Sequence, residues 1–216
     1  MEIFAPASSR VIRALLSHPK KPWTAYGLAK ETGVAYSRVY GLTKELLKLG
    51  VCRSVRAREF IPTRPEDLLD QWAHYYSYAR MNEITSYYSP ESDLDKFLKR
   101  LGKVGGKNNL AYALTLHAGM SLVHAYVRPV DVHFYVEPKA EEKWVEELEL
   151  ELIELGGNVH LAKPFDKGVF YKLQMVNGLN VASNLQLYLD LFNYPARGRE
   201  AAEHLKKFII EEWEKE

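Results

Sequence analysis

From Thr24 to Leu49 the apolar positions recur at helical spacing, interrupted once at Gly33-Val34. At about 100° per residue, Val39, Leu42, Thr43, Leu46 and Leu49 share one face of a helix predicted from Ala35 to Leu49. Ser37, Tyr40, Gly41, Lys44 and Lys48 fall on the opposite face, with Tyr36 and Arg38 on its flanks. Thr24 is placed to cap a preceding helix that ends at Thr32, and Gly33 suits the left-handed residue that closes it. The pattern is that of a helix-turn-helix, one stripe docked on a core and the other face free to enter a DNA major groove. Ala35, at the start of the second helix, cannot cap it through its side chain. Upstream, Val11, Ile12, Leu15 and Leu16 predict a first helix capped by Ser8 or Ser9 and stopped by Pro19 and Pro22.

Beyond Gly50 the period changes. Val51–Ser54 and Glu59–Pro62 read as two short strands joined by a basic tip at Val55–Arg58. Three helices and a hairpin make a winged helix, with Arg53, Arg56 and Arg58 on the wing to meet the backbone or minor groove. Pro62, Arg64 and Pro65 punctuate a boundary, giving an N-terminal domain over 1–64 and a second over 65–216. A helix is predicted over Glu66–Ala79. The chain then alternates, with strands predicted at Glu83–Tyr88, Leu110–Leu116, Val130–Glu137, Asn158–Lys163, Val169–Val176 and Leu179–Ala182. Helices are predicted at Ser92–Leu101, His117–Tyr126, Lys139–Leu155, Asn184–Phe192 and Arg197–Glu214. Alternation of this kind implies a larger α/β domain with a mixed sheet.

Net charge sharpens the division. Residues 1–65 hold 12 Lys/Arg against 4 Asp/Glu, and residues 66–216 hold 17 against 24, so a total of +1 conceals segments of +8 and −7. A basic segment joined to an acidic one fits a protein of which one part meets a polyanion. A hydrophobic content of 47% supports a globular core, and a single cysteine, Cys52, excludes an internal disulfide and suggests the cytoplasm. No apolar run approaches the ~18 residues of a membrane span, and the N-terminus lacks the pattern of a signal peptide.

Candidate chemistry concentrates on the recognition helix. Arg38 could reach a guanine edge or a phosphate and Lys44 a phosphate, with Tyr36, Ser37, Tyr40 and Lys48 as further DNA-binding candidates and Thr24 at the helix-turn-helix entrance. Gly41 on the outward face permits close approach of DNA, at a cost of about 1 kcal/mol in helix propensity. The aromatic run from Trp72 to Tyr78 suits a core better than a stacking platform for single strands. His117, His124 and His133 match no common zinc spacing and read as structural, so no metal or cofactor is expected. Asp93 and Asp95 could hold magnesium in a nucleotidyltransferase, but a helix cap accounts for them. The run from Lys139 reads as an acidic amphipathic helix with Trp144, Val145, Leu148, Leu152 and Leu155 buried. Arg197 and Arg199, at a predicted helix N-terminus, could contact an anion or a partner. Nothing else reads as an active site.

The segment from Val181 to Leu205, VASNLQLYLDLFNYPARGREAAEHL, resembles the C-terminal pattern of AbiEi antitoxins from prokaryotic type IV toxin–antitoxin systems. The stretches AYALTLHAG (Ala111–Gly119) and VDVHFYVEP resemble the family's middle region. The resemblance implies a winged-helix repressor that binds inverted repeats upstream of its own operon. It also implies an α/β domain that counteracts a nucleotidyltransferase-like toxin without necessarily binding it stably. The sequence therefore leads to a non-enzymatic, DNA-binding regulator. A degenerate nucleotidyltransferase or nuclease, or a winged-helix interaction module without DNA binding, are the alternatives.

Overall fold

In the computed structural model, which describes residues 3–126, 128–154 and 156–216, the chain divides into two compact units. The first runs up to Tyr76 and also takes in His204–Glu216, and the second is Ser77–Glu203. The segment 1–64 lies within the first.

The first unit is built on three helices. α1 (Pro6–Ser17) opens on proline, whose missing N–H costs nothing at a first turn, so Ser8 and Ser9 are buried inside the helix instead of capping it. Thr24 caps α2 (Ala25–Thr32), its Oγ1 accepting from the Gly27 N–H at 3.0 Å, and Gly33 closes the helix at φ 63°. α3 (Tyr36–Lys48) starts at Ala35 with no side-chain cap. Val39, Leu42, Thr43 and Leu46 are buried, whereas Leu49, expected in the same stripe, ends the helix 59% exposed. Each fully buried aliphatic side chain contributes about 1.5–3 kcal/mol. Packing of this face against α1 and α2 therefore outweighs the propensity cost of Gly41.

β1 (Cys52–Arg56) and β2 (Glu59–Pro62) pair antiparallel, Cys52 opposite Pro62 and Ser54 opposite Phe60. β1 runs two residues further than expected. The register slips between Ser54 and Arg56, and Arg58 takes the left-handed position (φ 64°) that glycine or asparagine usually fills. Phe60 also bridges to Trp23.

α4 (Pro65–Tyr75) is shorter than the predicted Glu66–Ala79, because Tyr76 and Ser77 turn extended. Its Trp72 is fully buried, stacked on Phe4 at 6.1 Å with the Arg13 guanidinium 4.9 Å from its ring. The chain's last residues complete this unit: the Trp213 indole N–H donates to the Leu16 carbonyl at 2.7 Å, and Lys206 pairs with Asp70.

In the second unit α5 (Tyr78–Met81) precedes a mixed sheet of seven strands among the described residues. These are β3 (Glu83–Tyr88), β4 (Tyr112–Thr115), β5 (Val132–Val136), β6 (Glu151–Leu152), β7 (Val159–Lys163), β8 (Gln174–Val176) and β9 (Leu179–Val181). Their order is β6-β3-β7-β5-β4-β9-β8. The β5–β7 and β4–β9 pairs are parallel and the others antiparallel. β4 and β5 are buried at every position, as strands in the middle of a covered sheet must be.

Helices α6 (Leu94–Asn108), α7 (Leu116–Val123), α8 (Glu141–Leu148), α9 (Asn184–Phe192) and α10 (Gly198–Lys215) complete the fold, α10 running on into the first unit at His204. α6 continues past the predicted end at Leu101. Its Gly105 serves packing, since a Cβ there would lie 2.7 Å from the Tyr112 ring and 3.3 Å from Trp144. The helix predicted over Lys139–Leu155 is corrected most. It ends at Leu148, Glu149 turns left-handed (φ 55°), and Glu151–Leu152 pairs with β3 as an edge strand. Trp144 and Leu148 are buried, Leu152 is 71% exposed, and Leu155 lies outside the described residues. The strand predicted from Val169 begins only at Gln174, after a turn of 3₁₀ helix at Lys167–Phe170. Among the described residues no helix is long and apolar enough to cross a membrane.

Candidate functional site

The basic surface of the first unit follows from the packing of α3. Burying Val39, Leu42, Thr43 and Leu46 turns Tyr36, Ser37, Arg38, Tyr40, Lys44 and Lys48 to solvent, with Gly41 half-buried between them. Tyr36 and Tyr40 stack at 5.9 Å, and the Lys44 ammonium lies 5.0 Å over the Tyr40 ring. Arg53, Arg56 and Arg58 project from the hairpin, where Arg56 has only a long, exposed contact with Glu59 at 3.9 Å. Arg38, Lys44, Lys48, Arg53 and Arg58 have no ion-pair partner among the described residues. Cations held apart from carboxylates are available to phosphates. Thr24 is half-buried, with its Oγ1 occupied in capping α2.

A groove between α3 and the hairpin is lined by Thr24, Tyr26, Tyr36, Tyr40, Lys44 and Arg58. Tyr26 is 71% exposed and has no place in the expected site. An aromatic residue off the apolar stripe of α2 was its only sequence signal.

The second unit contains a cluster that spacing did not reveal. β5 and β7 run parallel with His133 opposite His160, so their rings stack at 4.2 Å. Asp131, just before β5, sets Oδ2 at 3.4 Å from His133 Nε2 and 3.7 Å from His160 Nε2. Hydroxyls surround the pair: Tyr78 at 3.2 Å from His133 Nδ1, Tyr194 at 3.2 Å from His133 Nε2, and Ser86 at 2.9 Å from His160 Nδ1. Burial pushes the His160 pKa down to about 4, with the neighbouring His133 acting in the same direction. The neighbouring His133 imidazole holds the Asp131 carboxyl below its usual range against the effect of burial. Burial, then the Asp131 charge, pushes the Tyr194 hydroxyl up to about 12. His133 thus meets His160 and Asp131, a different trio from the His117, His124 and His133 weighed by spacing.

The NYPARG turn serves this cluster. Ala196 and Arg197 are both left-handed (φ 56° and 67°), which aims the Ala196 carbonyl at His117 Nε2, 3.0 Å away. Arg197 pairs with Glu200 at 2.8 Å. Arg199 pairs with Glu203 at 3.1 Å and lies 3.6 Å over the Phe192 ring. The preceding LQLYLDL segment forms α9, where buried Asp190 accepts from Thr115, from Tyr135 at 2.7 Å and from Gln186 at 2.6 Å. Asp93 caps α6 by accepting from the N–H groups of Asp95 and Lys96, as its sequence context suggested.

Residues 62–211 match a family described as "Transcriptional regulator, AbiEi antitoxin, Type IV TA system". No curated protein and no solved structure matches the chain.

Proposed function

The chain belongs to the AbiEi antitoxin family of type IV toxin–antitoxin transcriptional regulators, and from this premise we propose that it binds duplex DNA. In this reading residues 1–64 are a winged helix-turn-helix. The first turn of α3 brings Tyr36, Ser37 and Arg38 to base edges, Gly41 allows close approach, and Lys44 and Lys48 meet phosphates. The hairpin is the wing: Arg53, Arg56 and Arg58 reach the adjacent backbone or minor groove, and Thr24 faces the phosphates at the helix pair. The observation that carries the reading is the set of exposed cations on α3 and the hairpin, all but Arg56 without an ion-pair partner among the described residues.

The protein is then a cytoplasmic repressor of its own operon, acting on inverted repeats. Its segment 65–216 opposes a nucleotidyltransferase-like toxin without catalysis of its own and without necessarily binding the toxin stably. Arg197 and Arg199, whose carboxylate partners are exposed and screened by solvent, would exchange those ion pairs for an anionic partner.

Binding measured over a salt series on promoter duplex tests the DNA reading. Changing Arg56 and Arg58 to Ala should weaken binding to every sequence and reduce the slope of log affinity against log salt by about 2. Arg38→Ala should instead cost about 1–3 kcal/mol on the operator alone. If both variants bind like wild type at every salt concentration, this surface does not contact DNA.

A further inference from the structure

At the start of β5 and β7, three side-chain atoms converge without bonding to one another. Asp131 Oδ2 stands 3.4 and 3.7 Å from the Nε2 atoms of His133 and His160, beyond the roughly 2.7–3.2 Å of a protein hydrogen bond. A neutral imidazole has one N–H. In the tautomer that donates Nδ1–H of His160 to Ser86 Oγ, 2.9 Å away, the Nε2 lone pair faces the carboxylate. His133 presents Nε2 in the same way if its Nδ1–H is given to Tyr78, 3.2 Å away, and that nitrogen also faces the Tyr194 hydroxyl at 3.2 Å. A cation placed between these lone pairs would hold them together.

We propose that Asp131, His133 and His160 bind one divalent transition-metal ion of the zinc type through Oδ2 and the two Nε2 atoms. All three ligand atoms lie within 4.8 Å of one another. Ligand–metal distances of about 2.0–2.2 Å give tetrahedral edges of about 3.3 Å, so the Asp131 edges are nearly formed and the stacked rings need only splay. The ligands sit on two hydrogen-bonded strands in fixed register, His133 opposite His160, so little order has to be gained on binding. Ser86 and Tyr78 occupy the remaining ring nitrogens, as outer-shell partners of metal-binding histidines do.

Two imidazoles and one carboxylate suit zinc and its neighbours, not the all-oxygen sites of magnesium or calcium. Asp131 borders a surface concavity with Arg128 and Asn158, which gives an ion a route from solvent. Three protein ligands leave the fourth position to water or a small anion. The Tyr194 hydroxyl, 3.2 Å from His133 Nε2, is placed to hydrogen-bond what sits there.

The test is titration of the metal-stripped full-length chain with Zn²⁺ by calorimetry and with Co²⁺ by visible absorption. One equivalent should bind, with the intense d–d bands of four-coordinate cobalt. Asp131→Asn and His160→Gln should each weaken zinc binding at least about tenfold, and Ser86→Ala by about tenfold. His74→Gln, an exposed histidine of the first unit, should leave it unchanged. Zinc should raise the Tm of wild type and not that of Asp131→Asn. Absence of one-equivalent binding, or wild-type affinity in both ligand variants, overturns the site. Should His160→Gln fail to fold, the isosteric Asp131→Asn and the cobalt spectrum of wild type decide alone. None of these readouts involves DNA, so the metal site and the DNA surface stand or fall separately.

Discussion

A Cβ added to Gly198 would lie 2.5 Å from the Leu191 carbonyl oxygen and 2.9 Å from Tyr194 Cβ. Backbone cannot yield as a flexible side chain can, so Gly198→Ala should destabilise the protein by about 1–3 kcal/mol, read as a lower urea midpoint. It should also move Tyr194 and the Ala196 carbonyl away from His133 and His117. An unchanged midpoint would mean that the turn relaxes freely. Cys52 allows a simpler check. Burial pushes its thiol up to about 12, so iodoacetamide should leave it unmodified at pH 8 until the chain is denatured. Residues whose roles are local were legible in advance: Thr24 and Gly33 act within one turn of themselves. Asp131 and His160 were not, because only the parallel pairing of β5 with β7 brings them together.

Elements were legible where their signal was periodic and their ends chemical. α3 was found by its stripe, and its missing cap at Ala35 is real. Ala35→Ser should therefore stabilise the protein by about 0.5–1 kcal/mol in denaturant melts, and a loss of stability would argue against a simple cap. The acidic run after Lys139 misled because Glu and Leu alternate in it. The same residues serve a helix up to Leu148 and an edge strand at Glu151–Leu152, and the choice is made by the Glu149 turn and the free edge of β3.

The start of α8 carries a pH-dependent contact. Burial would raise the Glu141 carboxyl, but Lys163, 2.9 Å away, and the Tyr87 hydroxyl, 3.1 Å away, bring it below its usual range. A carboxyl depressed on folding contributes stability above its unfolded pKa of about 4.3 and loses it as pH falls. Glu141→Gln should thus cost about 1 kcal/mol at pH 7, with the difference from wild type shrinking below about pH 4.3. A difference that stays constant down to pH 3 would show that the charge of Glu141 is not what matters.

At the scale of the molecule, the charge split anticipated that the basic residues would gather in the first unit, on α3 and the hairpin. It could not show that the same unit depends on the far end of the chain. Trp213 is buried there, its indole bonded to Leu16, and Lys206 pairs with Asp70. Removing residues after Glu212 should strip that cover from α1 and destabilise the first unit by about 3 kcal/mol or more, as loss of a buried Trp does. Hydrogen exchange in α1 would report it, and unchanged protection there would refute it.

The polypeptide leaves the first unit at Tyr76 and returns to it at His204, so the second unit is threaded between two parts of the first. During synthesis this order has a consequence. Domains fold as their residues emerge, N-terminal ones first, yet here the residues up to Tyr76 wait for those from His204 onward. A chain abandoned by the ribosome before Trp213 has the whole basic surface but an incomplete core beneath it. The architecture therefore couples a finished basic surface to translation through Trp213.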